Sequence, residues 1–246
     1  MRYAILSDIH GNLEAFRRVI EYLNMESIDR YLFLGDIVGY GANPNECIEI
    51  IKNNYKYYSV IGNHDAVMVN RHFFSYYNPY AKKCLEWTWE VLSHENKQFL
   101  ETLPLTTVVD DIQLVHSSPS TPDSWYYMTE IEDIRENLNF IGNSICFFGH
   151  THRPAFYTYD STTDVLTLHH PFDTIDVAPD QFQYIINVGS VGQPRDGNPK
   201  TSFGIYDTNY QQIKLIRLEY DNRTASKKIS DAGLPDIIAQ RLLIGQ

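Results

Sequence analysis

The stretch Cys146-Phe147-Phe148-Gly149-His150-Thr151-His152 sets a short apolar run against two imidazoles one residue apart. The run reads as a buried strand, and a strand end is a rigid place from which to point ligands. The glycine before the imidazoles suits a tight turn or a close backbone approach. A His-x-His pattern alone is weak evidence, because surface and core histidines are ordinary. It gains weight from other residues that follow strand-like runs: Asp8 and His10, Asp36, Asn63 and His64, and His116. We expect them to converge on two metal ions.

Outward from that stretch, the N-terminal part alternates strand and helix. Tyr3 to Ser7 reads as a strand leading to Asp8 and His10. Leu13, Phe16, Val19, Ile20 and Leu23 recur at helical spacing. Tyr31 to Leu34 is a second strand, ending at Gly35-Asp36. Asn43, Pro44 and Glu46 predict a capped helix start with a capping box. Tyr57 to Ile61 is a third strand, ending at Gly62-Asn63-His64-Asp65. Such α/β patterns bind ligands at the carboxyl ends of their strands. Residues 66–103 break the alternation and read as a helical insertion or outer layer, with Tyr80, Ala81, Cys84, Leu85, Thr88, Val91 and Leu92 on one side of a helix begun at Asn78-Pro79. Thr106–Val109 and Ile112–Val115 predict a hairpin with His116 at its end. Thr129 and Glu132 predict a capping box for a helix stopped by Gly142. After His152 five strands are expected, beginning near Ala155, Val165, Tyr184, Ser202 and Ile213. The tail near 221–246 reads as peripheral, and the whole chain 1–246 as one domain.

The bulk numbers bound the function. A chain of 246 residues, 43% hydrophobic and 21% charged, can build a sizeable core. No apolar run reaches membrane-spanning length, and Asp8 follows Met1 too closely for a secretory leader, so a cytoplasmic protein is expected. Cys47, Cys84 and Cys146 are too few and too scattered for a disulfide framework or a thiolate metal site; Cys146 is read as a small buried hydrophobe. A net charge of −11 argues against a nucleic-acid polymer as partner. It leaves room for a small phosphorylated substrate, possibly nucleotide-derived, because bound cations would dominate the local field.

The ligand set is two carboxylates, an amide and imidazoles. Mixed nitrogen and oxygen ligation suits Mn, Fe, Ni, Co or Zn better than Mg or Ca. Asp36 can bridge two ions with its two oxygens. Two adjacent metals would activate a bridging hydroxide and clamp the oxygens of an in-line displacement at phosphorus. His64, beside Asn63, could stabilise the transition state or protonate the leaving oxygen.

The ordered set Asp8-x-His10, Gly35-Asp36, Gly62-Asn63-His64-Asp65, His116 and Gly149-His150-Thr151-His152 resembles the calcineurin-like metallophosphoesterase superfamily, and most of all its small prokaryotic phosphodiesterase-type members. The resemblance covers residues 1 to about 220. It implies an αββα sandwich of two mixed β-sheets flanked by helices. It also implies one ion held by Asp8, His10, Asp36 and His152, a second held by Asp36, Asn63, His116 and His150, and His64 as the active-site histidine. The pattern departs at Gly39, where many members carry an acid that orients that histidine; Asp65 or a water could stand in.

Other residues admit two readings. Arg195, in the glycine-rich loop Asn187 to Arg195, could reach a substrate phosphate or form a surface ion pair with Asp196. Asn12 could contact phosphate or cap its helix, the cap being favoured. His169 and His170 are read as structural. Tyr76, Tyr77, Tyr80, Trp125, Tyr126 and Tyr127 could stack a nucleobase, though packing is favoured; Lys227-Lys228 is read as a solvated face. The sequence thus points to a metal-dependent phosphoesterase, with a phosphodiester as first choice of substrate. A phosphomonoester, a phosphoprotein or a dinucleoside polyphosphate comes next, and a non-catalytic scaffold is the rival of another class.

Overall fold

The computed structural model describes residues 1–53, 56–70, 77–169 and 173–246. Tyr76 and His170 therefore lie outside the described residues. The N-terminal half runs β1 (Arg2–Leu6), α1 (Leu13–Leu23), β2 (Arg30–Phe33), α2 (Pro44–Lys52), β3 (Tyr57–Ser59), α3 (Asn63–Val67), α4 (Pro79–Val91), α5 (His94–Glu101), β4 (Thr106–Val109) and β5 (Ile112–Val115). It is followed by α6 (Ile131–Asn137), β6 (Ile145–Phe148), β7 (Ala155–Asp160), β8 (Val165–His169), β9 (Thr174–Asp176), β10 (Gln183–Asn187), β11 (Thr201–Asp207), β12 (Gln212–Leu218), α7 (Asn222–Asp231) and α8 (Asp236–Ile244). Among the described residues the strands form two six-stranded sheets, ordered β3-β2-β1-β11-β12-β9 and β4-β5-β6-β10-β7-β8.

Both sheets are mixed. In the first, β1, β2 and β3 are parallel and β11 runs antiparallel to β1. In the second, β5, β6 and β10 are parallel, flanked by antiparallel β4 and β7. Side chains alternate across a strand, so each sheet has two buried faces. Tyr3 and Ile5 of β1 meet Leu114, Phe147 and Ile186 of the second sheet between the layers. Ala4 and Leu6 turn the other way, onto Phe16 and Val19 of α1. Cys146, Phe148 and Ile185 pack outward on Ile134 and Leu138. Cys146 is fully buried and its thiol is pushed up to about 12 by burial, as befits an apolar role. The result is the expected four-layer αββα sandwich. No helix among the described residues is long and apolar enough to cross a membrane.

Several local expectations are corrected. Asn43 makes no capping hydrogen bond with its helix: its Oδ1 accepts from Lys228 and its Nδ2 donates to the Glu46 carboxylate. The box expected from Thr129 and Glu132 forms instead from Glu130 and Asp133, and the helix ends at Asn137 before a short 3-10 turn. Tyr80 is 51% exposed and Val91 is exposed too, so only Ala81, Cys84, Leu85 and Thr88 form the buried face of α4. β9 carried no legible signal, at three residues long.

The tail is not peripheral. Ala225, Ile229, Leu234, Ile238 and Leu242 of α7, α8 and their connection form one apolar cluster with Tyr40, Ala81 and Cys84. Lys228 is no solvated charge either, since it pairs with Glu14 of α1. The segment read as an insertion is bound in from two sides, with Leu85 and Leu100 joining the core beneath the first sheet.

Candidate metal centre

Parallel strands deliver their carboxyl ends to one side, and the loops there carry the site. Asp8 follows β1, Asp36 follows β2, Asn63 follows β3, His116 follows β5, and His150 and His152 follow β6. The loops are laced together by backbone bonds. Asp8 N–H donates to Gly35 O (3.1 Å), His10 N–H to Asp36 O (2.9 Å), Gly149 N–H to His116 O (2.9 Å) and Gly192 N–H to Asp8 O (2.9 Å). Asp8, His10, Asp36, His150 and His152 all hold left-handed backbone, with φ between 50° and 66°. Asp and His enter that region more readily than most residues, but five instances in one site mark strain over-determined by the surrounding structure.

The side chains fall into two groups that share Asp36: Asp8, His10, Asp36 and His152, and Asp36, His116 and His150. In each, the potential ligand atoms lie within 4.8 Å of one another and every residue is buried. Asn63 joins the second group, its Oδ1 3.1 Å from His116 Nε2. The rings are aimed by their outer nitrogens. His10 Nδ1 donates to Val38 O (3.0 Å), His116 Nδ1 to Leu34 O (2.7 Å) and His152 Nδ1 to Gln193 O (2.6 Å). That fixes the tautomer and turns the Nε2 lone pair inward. His150 is reversed: its Nε2 donates to Trp125 O (2.9 Å), leaving Nδ1 for the centre. Asp36 Oδ2 stands 3.5 Å from His10 Nε2 and 3.4 Å from His116 Nε2, between the two groups.

These contacts set acceptor against acceptor. His10 Nε2 and His152 Nε2 are 3.1 Å apart, both as lone pairs, and His116 Nε2 meets Asn63 Oδ1 in the same way. Asp8 Oδ1 is buried with no hydrogen-bond partner, although Ser7 Oγ and His150 N–H serve its other oxygen. Buried acceptors are normally satisfied; a cluster that is acceptor-only calls for a cation. The donor set fits divalent metal. With no cation there, a proton would have to take its place: burial opposes charge on His116, but Asp36 and Asp8 outweigh it and raise its pKa to about 9, and a bound metal would displace that proton. Burial likewise opposes charge on Asp8, yet His152 and His116 keep it ionised, well below the usual carboxylate range.

His64 lies at the edge of this cluster. Its backbone N–H donates to Asp36 Oδ1 (2.8 Å), but its Nδ1 is buried without a partner. Burial, with Arg195 and the neighbouring histidines working against the pull of Asp36, lowers it to about 4. Asp65 does not orient it, because that carboxylate accepts from Val38 N–H and Gly62 N–H. Burial and the Asp36 charge push Asp65 up to about 7. The backbone of Gly39 (φ +105°) packs directly on the ring: a Cβ there would sit 2.3 Å from His64 Nδ1. Tyr40 and Tyr77 hold the ring from either side, with centroids at 4.6 and 5.3 Å.

The remaining anticipated residues separate. Asn12 caps α1 through Ala15 N–H (3.1 Å), and its amide donates to Gly192 O and to Tyr220 OH. Both its amide hydrogens are used, which leaves none to donate to a phosphate. Asp196 pairs with Arg217, not Arg195. Arg195 is held by Gln193 Oε1 (2.6 and 3.1 Å) and lies over Tyr40, 5.6 Å from the ring centroid. His169 hydrogen-bonds Thr158 at 3.0 Å, far from the cluster in role.

A cleft of about 430 Å³ opens beside the second group, lined by Tyr40, Asn63, His64, Tyr77, Trp125, Tyr127 and His150 among others. Tyr127 stacks on His150 at 4.0 Å and is 53% exposed, its outer face free to the cleft. Tyr77 has a role that its sequence context did not suggest: its hydroxyl donates to Asn63 O and accepts from Asn63 Nδ2, both at 2.9 Å. That bond turns Asn63 Oδ1 toward the centre.

A family model described as the calcineurin-like phosphoesterase superfamily domain matches residues 1–211. An uncharacterised protein of Methanocaldococcus jannaschii is 38% identical over 248 residues, covering 99% of this chain and 98% of that protein. The crystal structure of a metallophosphoesterase from Sphaerobacter thermophilus is 36% identical, with TM-score 0.87 over 100% of this chain and 99% of that one. A hypothetical protein from Pyrococcus horikoshii shares the fold, with TM-score 0.80 at 23% identity over 100% of this chain and 98% of that one. By sequence, by fold and by its cluster of buried acceptors at the strand ends, the chain belongs to the calcineurin-like phosphoesterase superfamily.

Proposed function

We propose that this chain is a two-metal phosphodiesterase acting on a small substrate with a planar organic arm. One ion would take Asp8, His10, Asp36 and His152; the other Asp36, Asn63, His116 and His150. When bound, two transition-metal ions supply Lewis acidity, lowering the pKa of a water and neutralising charge on phosphoryl oxygens. The chain's own residues do the rest. Asp36 would span both positions, and Val38, Leu34 and Gln193 carbonyls fix the tautomer of three imidazoles and aim their Nε2 inward. His64, which lines the cleft beside Asn63, would face the leaving group; burial lowers it to about 4, so it is neutral at rest and would act there as a hydrogen-bond donor. Tyr127 and Trp125 offer faces on which a ring, such as a nucleobase, could stack.

The observation that carries this reading is the set of buried acceptor-to-acceptor contacts around Asp36. The test is hydrolysis of bis-p-nitrophenyl phosphate against p-nitrophenyl phosphate by metal-stripped protein, with Mn, Ni, Fe, Co, Zn or Mg restored singly. Diester turnover restored by a transition metal, in preference to the monoester, is the expected result. Monoester preference would make the chain a phosphomonoesterase; absence of metal uptake and of turnover would return the scaffold reading.

A further inference from the structure

A second cleft, of about 800 Å³, lies on the other side of Arg195. Three segments distant in sequence build it. Arg153 comes from the turn after β6, Arg195 and Gly197 from the loop after β10, and Arg241 from α8. Its walls are fixed. Arg153 Nε donates to Arg195 O (3.0 Å), Arg195 N–H to His152 O (3.3 Å), and Gly197 N–H to Gly245 O (2.9 Å), which clamps the end of α8 to the loop.

The charge of this cleft runs against that of the chain as a whole, in which 31 acidic residues face 20 basic ones. Arg2, Arg30, Arg135 and Arg217 each have a carboxylate partner. Three arginines line this one concavity, and among the described residues Arg153 and Arg241 have no carboxylate at ion-pair distance, the nearby Asp196 being taken by Arg217. Guanidinium forks match phosphate oxygens in pairs. Arg195 ties this concavity to the metal centre: its backbone borders His152, its guanidinium lies over Tyr40, and Tyr40 lines the aromatic cleft beside His64.

We infer that Arg153, Arg195 and Arg241 form a binding site for a second, non-reacting phosphate of the substrate, so that the preferred substrate is a phosphate ester carrying a further phosphate group. This rests on the proposed phosphoesterase reading for the first phosphate. A matched test uses alkanediol bisphosphates of graded chain length against the alkyl monophosphates of the same length, on the manganese-loaded full chain. Binding is read by calorimetry and by inhibition of bis-p-nitrophenyl phosphate hydrolysis. At the best length the bisphosphate should bind at least about tenfold more tightly than the monophosphate, also when inorganic phosphate is added to the monophosphate. Arg241→Gln, on a helix that contributes nothing to the metal cluster, should abolish most of that advantage, and Arg153→Gln should do the same. Equal affinity of each matched pair, or an advantage that survives both substitutions, overturns the site. An advantage matched by monophosphate with free phosphate overturns its assignment to the substrate. Should the diester not be hydrolysed at all, the phosphodiesterase reading falls, while calorimetry still decides for or against the arginine site.

Discussion

The two halves of the candidate metal centre share Asp36 and imidazoles aimed by backbone carbonyls, and differ in what else orients their ligands. The inner half, Asp8, His10 and His152, is oriented largely by main chain, with Ser7 Oγ a side-chain donor to Asp8. Val38 and Gln193 carbonyls aim the rings, and Ser7 Oγ and His150 N–H hold the Asp8 carboxylate. None of these three side chains borders the aromatic cleft. The outer half, Asn63, His116 and His150, is oriented in part by side chains and by a loop. Tyr77 turns the Asn63 amide, Trp125 O takes the His150 ring, and Asn63 and His150 line the cleft. Main chain between packed strands has little freedom to adjust, whereas a cleft wall of aromatic side chains can shift rotamer. On the proposed two-metal reading, the contrast would make the inner position the one that retains its ion and the outer one the one that meets substrate.

The largest expected effect would break the comparison altogether. Asp36→Asn removes the one charge common to both halves. Metal content should fall at both positions and diester turnover by about a thousandfold or more, the several kcal/mol that metal-ion catalysis supplies. A variant that retains one ion by elemental analysis would assign Asp36 to a single half. Next, His150→Ala should empty the outer position and spare the inner one, so that the chain keeps one ion and loses about a hundredfold in rate; loss of both ions would show that the halves are not separable. Smaller still, Tyr77→Phe frees the Asn63 amide. Outer-shell partners of this kind are worth about 10–100-fold in metal affinity, so titration with a competing chelator should show the outer ion weakened and the inner one unchanged. Asn12→Ala, which removes no ligand of either half, should cost about 2–4 kcal/mol, through loss of the α1 cap and of the donor to Gly192 O and Tyr220 OH. The check is a thermal midpoint lowered by several degrees with metal content intact.

The residues that make up this site were legible because each stands where an apolar run stops. Asp8, Asp36, Asn63, His116 and His150 each follow a strand that has to be buried, and polar residues at such places are few enough to read together. The aromatics were harder. Tyr77 and Trp125 looked alike in sequence, yet one orients Asn63 through its hydroxyl and the other serves His150 through its carbonyl, and a backbone carbonyl leaves no mark on residue identity. Asn43 shows the reverse failure. Its spacing to Glu46 fits a capping box, but Lys228 arrives from α7, far along the chain, and takes the oxygen. The tail misled for the same reason: its short amphipathic helices look expendable until Tyr40, Ala81 and Cys84 are seen to supply the other side of their core.

The sequence by itself determined the chemistry on offer: two carboxylates, an amide and four imidazoles at strand ends, a buried thiol with no reactive setting, and an acidic chain with no thiolate metal site. It also determined most of the strands and helices, since hydrophobic period and turn residues are local signals. Only the tertiary structure decided that the two sheets, six strands each among the described residues, stack face to face with the carboxyl ends of β1, β2 and β3 on the same side as those of β5, β6 and β10. It alone set lone pair against lone pair at 3.1 Å and placed Gly39 against His64. It alone brought Arg241 beside Arg153 and Arg195. The physical reason is range: a side chain's identity and its immediate neighbours are fixed by the chain, but which acceptors are left without donors depends on packing between segments a hundred residues apart.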